Sequence, residues 1–177
     1  MKMKFDKDKC LKLLKERKML EKEGKSLGDY NKAKNDELIR YLTLIEDQFF
    51  WESRKDYIEI SDLFINKKIT FDQFFDQFCE LRGSSIASAR MYEEKLEKEA
   101  FFTFPKSTEI NIHFNPKSYG FTEIISDLHS TIDACTSEVT LEMNLEYPEL
   151  LWYGISEEYL ILIIEEDFLP QLEKYCK

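Results

Sequence analysis

The side chains of this chain best suited to proton transfer near neutral pH are its two histidines, His113 and His129. His129 stands close in sequence to Asp127 and Asp133, and a carboxylate beside an imidazole suits a general base or a metal ligand. Its position next to Leu128, on an amphipathic helix, instead favours a polar side chain at the edge of a core. His113 falls on the polar side of a strand-like segment. We therefore expect neither histidine to be catalytic.

The sequence contains no motif for covalent, phosphate or metal chemistry. It lacks a glycine-rich phosphate loop, a His-Glu-x-x-His pair and a Gly-x-Ser-x-Gly turn. Its adjacent carboxylates lie in charged helical runs, which is typical of a solvated helix face. The cysteines are scattered without a Cys-x-x-Cys pair, which indicates free thiols in a reducing compartment; they are Cys10, Cys79, Cys135 and Cys176. We predict a protein that is not an enzyme and that has no metal ion or cofactor.

One segment has the composition of a protein-binding surface. Acidic residues there surround an aromatic-rich stretch that includes Tyr147 and Tyr153. Apolar side chains ringed by charge of one sign are typical of a contact surface for a basic partner. The predicted partner-binding residues are Glu138, Glu142, Glu146, Glu149, Trp152, Glu157 and Glu158. The alternative is that the aromatic side chains close the end of a helix bundle.

The charge of the chain changes sign along its length. Residues 1–40 carry 13 basic and 8 acidic side chains, a net charge of +5, whereas the remaining residues carry 12 and 27, a net charge of −15. An acidic body repels phosphates, so we do not expect the main domain to bind nucleic acid directly. We predict a basic N-terminal helical extension, 1–34, and an acidic helical-bundle domain, 35–177.

The longest uncharged apolar run, Leu160–Ile164, is far shorter than the roughly 20 residues that span a bilayer. The N-terminal residues include Asp6 and Asp8 before any apolar block, unlike a signal or transit peptide. We therefore expect a protein without a membrane contact that stays in the compartment where it is made. That compartment is the cytoplasm, or an organelle interior if the gene is organellar, since the residue usage suits an AT-rich genome.

Helical periodicity dominates the sequence. Residues 57–82 predict two amphipathic helices joined by a tight turn, with Thr70 and Gln73 as a capping box and Gly83 as the stop. A Lys/Glu-rich helix is predicted over 6–23, and others follow from Asp36, over 86–99 and over 121–135. Ser156 is a suitable N-cap for a final helix, which Pro170 should end or kink.

Two segments alternate with the period of a strand. Ile110, Ile112 and Phe114 form the first set, and the second runs from Val139 to Leu145. Because a lone strand leaves its backbone unpaired, we predict a small two-stranded ribbon. Residues 159–164 are apolar all round and fit either a helix or a strand.

The helix pair resembles the colicin D immunity family and the related bacterial self-protective colicin-like immunity proteins. The residues that carry the likeness are Asp62-Leu63-Phe64, Lys68-Ile69-Thr70, Phe74, Phe78-Cys79-Glu80 and Arg82. Looser matches follow at Ile124–Cys135 and at Tyr153–Glu158. The likeness covers roughly residues 57–170, with 84–118 as an insertion.

The resemblance implies a mainly α protein, an antiparallel helical bundle with a four-helix core, here with an extra N-terminal helix. It also implies an inhibitor that binds the basic active-site cleft of a tRNA-cleaving toxin domain and performs no chemistry itself. A second hypothesis, from the charge reversal, is a non-catalytic accessory subunit of a larger assembly. In that case the basic residues 1–25 would anchor it to RNA or protein.

Overall fold

The structure is a computed structural model whose described residues are 4–102, 114–147 and 154–175. These residues are mainly helical, as predicted, and they contain one isolated parallel bridge, between Cys135 and Ile155, but no strand. The helices are α1 (Lys7–Lys22), α2 (Leu27–Tyr30), α3 (Lys32–Glu52), α4 (Arg54–Ile65), α5 (Phe71–Phe101), α6 (Phe121–Asp133), α7 (Leu141–Glu146), α8 (Glu157–Ile163) and α9 (Leu169–Lys174).

Contacts divide the described residues into two compact units. Unit 1 comprises the described parts of 1–49 and 85–119, and unit 2 those of 50–84 and 120–177. This division differs from the boundary that the charge pattern predicts after residue 34. Helix α5 contributes its first half to unit 2 and its second half to unit 1.

In unit 1, helix α1 belongs to the core. Apolar side chains from α1, α2, α3 and the second half of α5 form one buried cluster; its members are Cys10, Leu13, Leu14, Leu20, Leu27, Leu38, Tyr41, Leu44, Ile45, Ala89, Tyr92 and Leu96. Ion pairs add to this packing, with Lys7 Nζ 2.8 Å from Glu99 Oε2 and Arg17 paired with Glu97. Several basic groups of the predicted extension are therefore neutralised within unit 1.

In unit 2, the predicted helix pair is confirmed. Helices α4 and α5 are antiparallel, because Phe64 stacks on Phe74 at 4.5 Å near the turn while Tyr57 lies 5.4 Å from Phe78 farther along. The capping box is formed, since Thr70 N–H donates to Gln73 Oε1 and Gln73 N–H donates to Thr70 Oγ1. Helices α6, α8 and α9 add further buried apolar residues; they are Phe121, Ile125, Leu128, Ile132, Leu160 and Leu172.

One predicted helix boundary and one predicted strand are wrong. Helix α5 does not stop at Gly83 but continues to Phe101. A Cβ at Gly83 would meet nothing within 4 Å, so the helix continues through this position without a steric obstacle. The low helix propensity of glycine is outweighed by the packing of the helical residues before and after it. The predicted second strand of the ribbon is instead helix α7, which Thr140 caps by accepting a hydrogen bond from Met143 N–H. Most of the first strand-like segment lies outside the described residues.

The final helix begins where the sequence predicts. Ser156 Oγ accepts a hydrogen bond from Tyr159 N–H at 3.1 Å, and residues 159–163 are helical rather than extended. A π-helical turn, Ile164–Phe168, then leads into α9. Pro170 has no backbone N–H to donate to an i−4 carbonyl, and the π turn is the local change of register that accommodates it.

Candidate protein-binding surface

The starts of three helices in unit 2 border one open groove with a volume of about 840 Å³. The beginnings of α5, α7 and α8 line it, together with the loop that joins α6 to α7. Phe71, Val139 and Leu141 give it apolar walls. We call this concavity, together with the exposed side of α7, the acidic surface.

Four exposed carboxylates line the groove: those of Asp72, Glu142, Glu157 and Glu158. None of them forms an ion pair with another described residue. Each lies in the first turn of its helix, where the helix dipole favours a negative charge. Hydroxyl groups of Thr140 and Ser156 already cap α7 and α8. The carboxylates therefore remain available to a cation in the groove.

Asn144 fixes α7 against the start of α8. Its side chain is buried; Nδ2 donates to Gly154 O at 3.2 Å, and Oδ1 accepts from Ser156 N–H at 2.9 Å. The backbone beside it is held by the isolated bridge, in which Thr136 N–H donates to Ile155 O at 2.8 Å. The spacing between Glu142 and Glu157 is therefore set by a buried hydrogen-bond network.

Gly154 allows this close approach of the two segments. Its φ of +125° is a conformation that L side chains rarely adopt. A Cβ at this position would lie 2.5 Å from Thr136 Cγ2 and 3.1 Å from Ala134 O. Only glycine fits, and the loop that forms one wall of the groove depends on it.

The exposed side of α7 extends the groove with apolar side chains. Leu145 is 60% exposed, Met143 47% and Tyr147 44%. Leu141 and Glu142 line both the groove and a second shallow concavity that Leu145 and Glu146 complete. Exposed apolar groups thus lie between carboxylates, the arrangement that marks many protein-contact sites.

The structure brings together five of the predicted partner-binding residues. Glu142, Glu157 and Glu158 line the groove, Glu146 lies on the adjoining face of α7, and Glu138 is exposed in the loop between two lining residues. Glu149 and Trp152 lie outside the described residues, as does Tyr153. Sequence reasoning missed Asp72 and Asn144: the first is distant in sequence, and the second falls among the polar residues of the predicted second strand.

The thiol in the groove is a poor nucleophile. Burial, together with the negative charges of Glu157 and Glu158, raises the pKa of Cys135 to about 11. The thiolate, which is the reactive form, is therefore scarce near neutral pH. Burial also raises the pKa of Cys79, with Asp133 contributing. Cys10, Cys79 and Cys135 are free thiols, as predicted.

His129 pairs with Asp133 rather than with Asp127. The distance from His129 Nδ1 to Asp133 Oδ2 is 3.2 Å, and the imidazole centroid lies 6.0 Å from the ring of Phe78. The pair bridges one turn of α6 at the edge of the unit 2 core. Within the described part of the chain, no group of three or more His, Cys, Asp or Glu side chains is arranged to hold a metal ion.

Among the described residues, no helix combines the length and the apolar character needed to cross a membrane. Comparison of the chain with protein-family models, with curated proteins and with solved structures found no match.

Proposed function

We propose that this protein is an immunity-type inhibitor whose acidic surface binds and neutralises a cationic ribonuclease toxin domain of the tRNA-cleaving type. The observation that carries the proposal is the set of carboxylates of the acidic surface that form no ion pair with a described residue, which the exposed apolar side chains of α7 adjoin. The resemblance of the helix pair to the colicin D immunity family supports the same conclusion and supplies the class of partner.

We infer that unit 2 is the four-helix core that the resemblance implies. Its helical segments are α4, the first half of α5, α6 and the final helix formed by α8 and α9. Residues 85–119, which belong to unit 1, overlap almost entirely with the insertion that the resemblance requires. In this proposal unit 1 is an addition to the immunity scaffold.

Inhibition of this kind needs no chemistry from the inhibitor. A ribonuclease that binds RNA presents a basic cleft, and the carboxylates of the acidic surface attract that cleft over a distance set by ionic strength. Once in contact, the apolar residues of α7 are desolvated and slow dissociation. The bound inhibitor then excludes RNA from the cleft.

The alternative is a non-catalytic accessory subunit of a larger assembly, organellar if the gene is organellar. The lysines of α1 at positions 12 and 15 favour it, since they are exposed and form no ion pair with a described residue. Such an anchor would contact RNA or an acidic protein, and the acidic surface would play no part.

Affinity capture from the native source tests the proposal against this alternative. The bait proteins are the tagged wild type, the triple variant Glu142→Lys/Glu146→Lys/Glu158→Lys and the matched control Glu165→Lys/Glu166→Lys/Glu173→Lys. We expect the wild type and the control to recover a basic ribonuclease and to inhibit its cleavage of tRNA, and the triple variant to do neither. Recovery of one large complex by all three proteins would instead support the accessory subunit.

A further inference from the structure

A second groove in unit 2 lies between α4 and α5 and has a volume of about 430 Å³. Its lining residues are spaced i, i+3, i+4 and i+7 on each helix, beginning at Asp56 on α4 and at Gln77 on α5. That spacing places them on one face of each helix over two turns. Because α4 and α5 are antiparallel, these two faces lie side by side and together form a channel.

A channel between two packed helices has the shape that accepts a third helix. Side chains of the incoming helix fit between the rows that the two existing helices present. Seven residues of helix rise about 10 Å, so the groove accommodates about two turns. Recognition of an amphipathic helix in this way uses apolar anchors at the same i, i+3, i+4, i+7 spacing.

The chemistry of the groove specifies the charge of that helix. Ile60, Leu63 and Leu81 form an apolar floor. The carboxylates of the rim belong to Asp56, Glu59 and Glu80, all exposed and all without an ion pair to a described residue. Among the described residues, no basic side chain lines this groove; Lys55 and Lys68 line an adjoining concavity that shares Glu59 and Leu63 with it. A helix that fits it therefore has leucine-like residues on one face, flanked by lysine or arginine.

We propose that the groove between α4 and α5 is a docking site for a cationic amphipathic helix of another protein. It shares no lining residue with the acidic surface, so the proposal does not depend on the ribonuclease partner. Contact with the apolar floor removes apolar surface of the incoming helix from water. The three rim carboxylates select a basic helix over an acidic one.

A synthetic peptide of about 14 residues serves as the probe, with leucines at i, i+3, i+4 and i+7, lysines beside them and alanines elsewhere. A second peptide carries glutamates in place of the lysines. Binding to the full chain is followed by fluorescence anisotropy, and the contact site is mapped by amide chemical shifts. We expect saturable binding of the lysine peptide alone, with shifts centred on Leu63 and Leu81.

Two pairs of substitutions locate the binding. Glu59→Lys/Glu80→Lys should weaken the lysine peptide about tenfold or more, whereas Glu165→Lys/Glu166→Lys, an equal change of charge elsewhere in unit 2, should leave its affinity within about twofold. An equal loss of affinity for the lysine peptide in both variants, or no saturable binding by either peptide, would overturn the proposal. A loss of affinity for the lysine peptide in Glu142→Lys/Glu146→Lys would also overturn it. The same holds if the wild type is an oligomer in sedimentation equilibrium and Glu59→Lys/Glu80→Lys dissociates it.

Discussion

At the scale of single residues, Asn144 holds α7 of the acidic surface against the start of α8. Replacing it by alanine leaves the carbonyl of Gly154 and the amide of Ser156 buried without their partner. Unsatisfied buried backbone groups cost about 1–3 kcal/mol each, so we expect Asn144→Ala to lower the free energy of unfolding by about 2–4 kcal/mol. Urea denaturation measures the loss.

Asn66→Ala is the matched control for this prediction. Asn66 is exposed and donates to Asp62 O at 2.8 Å, at the end of α4. Water can replace that hydrogen bond, so the free energy of unfolding should fall by less than about 1 kcal/mol. Equal losses in the two variants would mean that burial of the Asn144 network adds no stability.

Two half-buried carboxyl groups give unit 1 a dependence on pH. Burial raises the pKa of Glu46 above its ordinary value of 4.5, with Asp47 adding to the shift and Arg90 opposing it. Burial also raises the pKa of Glu93, and the charge of Glu46 raises it further, against the pull of Arg17. Each group binds its proton more tightly in the folded state. The free energy of unfolding therefore falls as pH rises from about 4.5 through the folded pKa values.

Glu93→Gln should remove part of this decline, because the amide carries no charge to bury. We expect a higher free energy of unfolding than the wild type at pH 7 and a shallower slope above about pH 4.5. Urea titrations at several pH values provide the measurement. Glu94→Gln, at the exposed neighbouring position, should follow the wild-type profile. A Glu93→Gln profile parallel to the wild type would contradict burial as the cause.

At the scale of secondary structure, replacing two glycines with equally open surroundings should change the free energy of unfolding in opposite directions. A Cβ would meet nothing within 4 Å at Gly83 or at Gly24. Gly83 lies inside α5, so Gly83→Ala should raise the free energy of unfolding by about 0.5–1 kcal/mol. Gly24 has a φ of +73° and ends α1 with a hydrogen bond from Lys25 N–H to Leu20 O, the Schellman arrangement. Gly24→Ala should therefore lower it by about 1 kcal/mol.

Thermal and urea unfolding of both variants against the wild type provide the measurement. If Gly83→Ala were destabilising, the helix would have to break at Gly83 in solution, as the sequence pattern predicted. Unchanged stability in Gly24→Ala would mean that the end of α1 adjusts its backbone without cost.

The helices could largely be predicted from the sequence because their signals are local. Thr70 and Ser156 cap α5 and α8 at the predicted positions, α1 begins one residue after its predicted start, and apolar spacing marks each buried face. The errors arose where tertiary contacts outweigh local preference. The residues of α7 alternate as in a strand, yet Asn144 faces inward and accepts a hydrogen bond from Ser156 N–H, a contact that no local pattern encodes.

The acidic surface could be predicted only in part for the same reason. Glu142, Glu146, Glu157 and Glu158 are near one another in sequence, so their clustering was visible. Asp72 joins the same groove from the start of α5, some 70 residues away in sequence from Glu142. That proximity arises because the start of α5 and the loop after α6 border the same groove, which only the fold determines.

At the scale of the whole molecule, the negative charge of residues 41–177 should govern association. For a basic partner recovered with the protein, we expect the association rate to fall steeply with added salt, because screening shortens the range of attraction. Glu142→Lys/Glu146→Lys/Glu158→Lys should lower the rate about tenfold or more at low salt and change the free energy of unfolding little. Stopped-flow binding measures the rates. Unchanged rates at every salt concentration would contradict electrostatic steering by this surface.

The N-terminal residues are part of the unit 1 core, so their removal should unfold that unit. Residues 1–34 contribute four buried leucines, at positions 13, 14, 20 and 27. Burial of each leucine side chain contributes about 1.5–3 kcal/mol to the free energy of unfolding. The sum of the four contributions approaches the whole free energy of unfolding of a typical domain. We expect a 35–177 fragment to lose the unfolding transition of unit 1 and the helical circular dichroism that unit 1 contributes. Loss of a partner by this fragment would therefore not distinguish an anchor from a core element.

A charge substitution separates those two roles. Lys12→Gln/Lys15→Gln/Lys18→Gln leaves the buried leucines in place and removes three exposed cations from α1. We expect its thermal midpoint to stay close to that of the wild type, since exposed charges contribute little to stability. If α1 serves only as a core helix, the variant keeps every partner that the wild type captures. Loss of an RNA or of an acidic protein from the variant alone would establish α1 as the anchor of an accessory subunit.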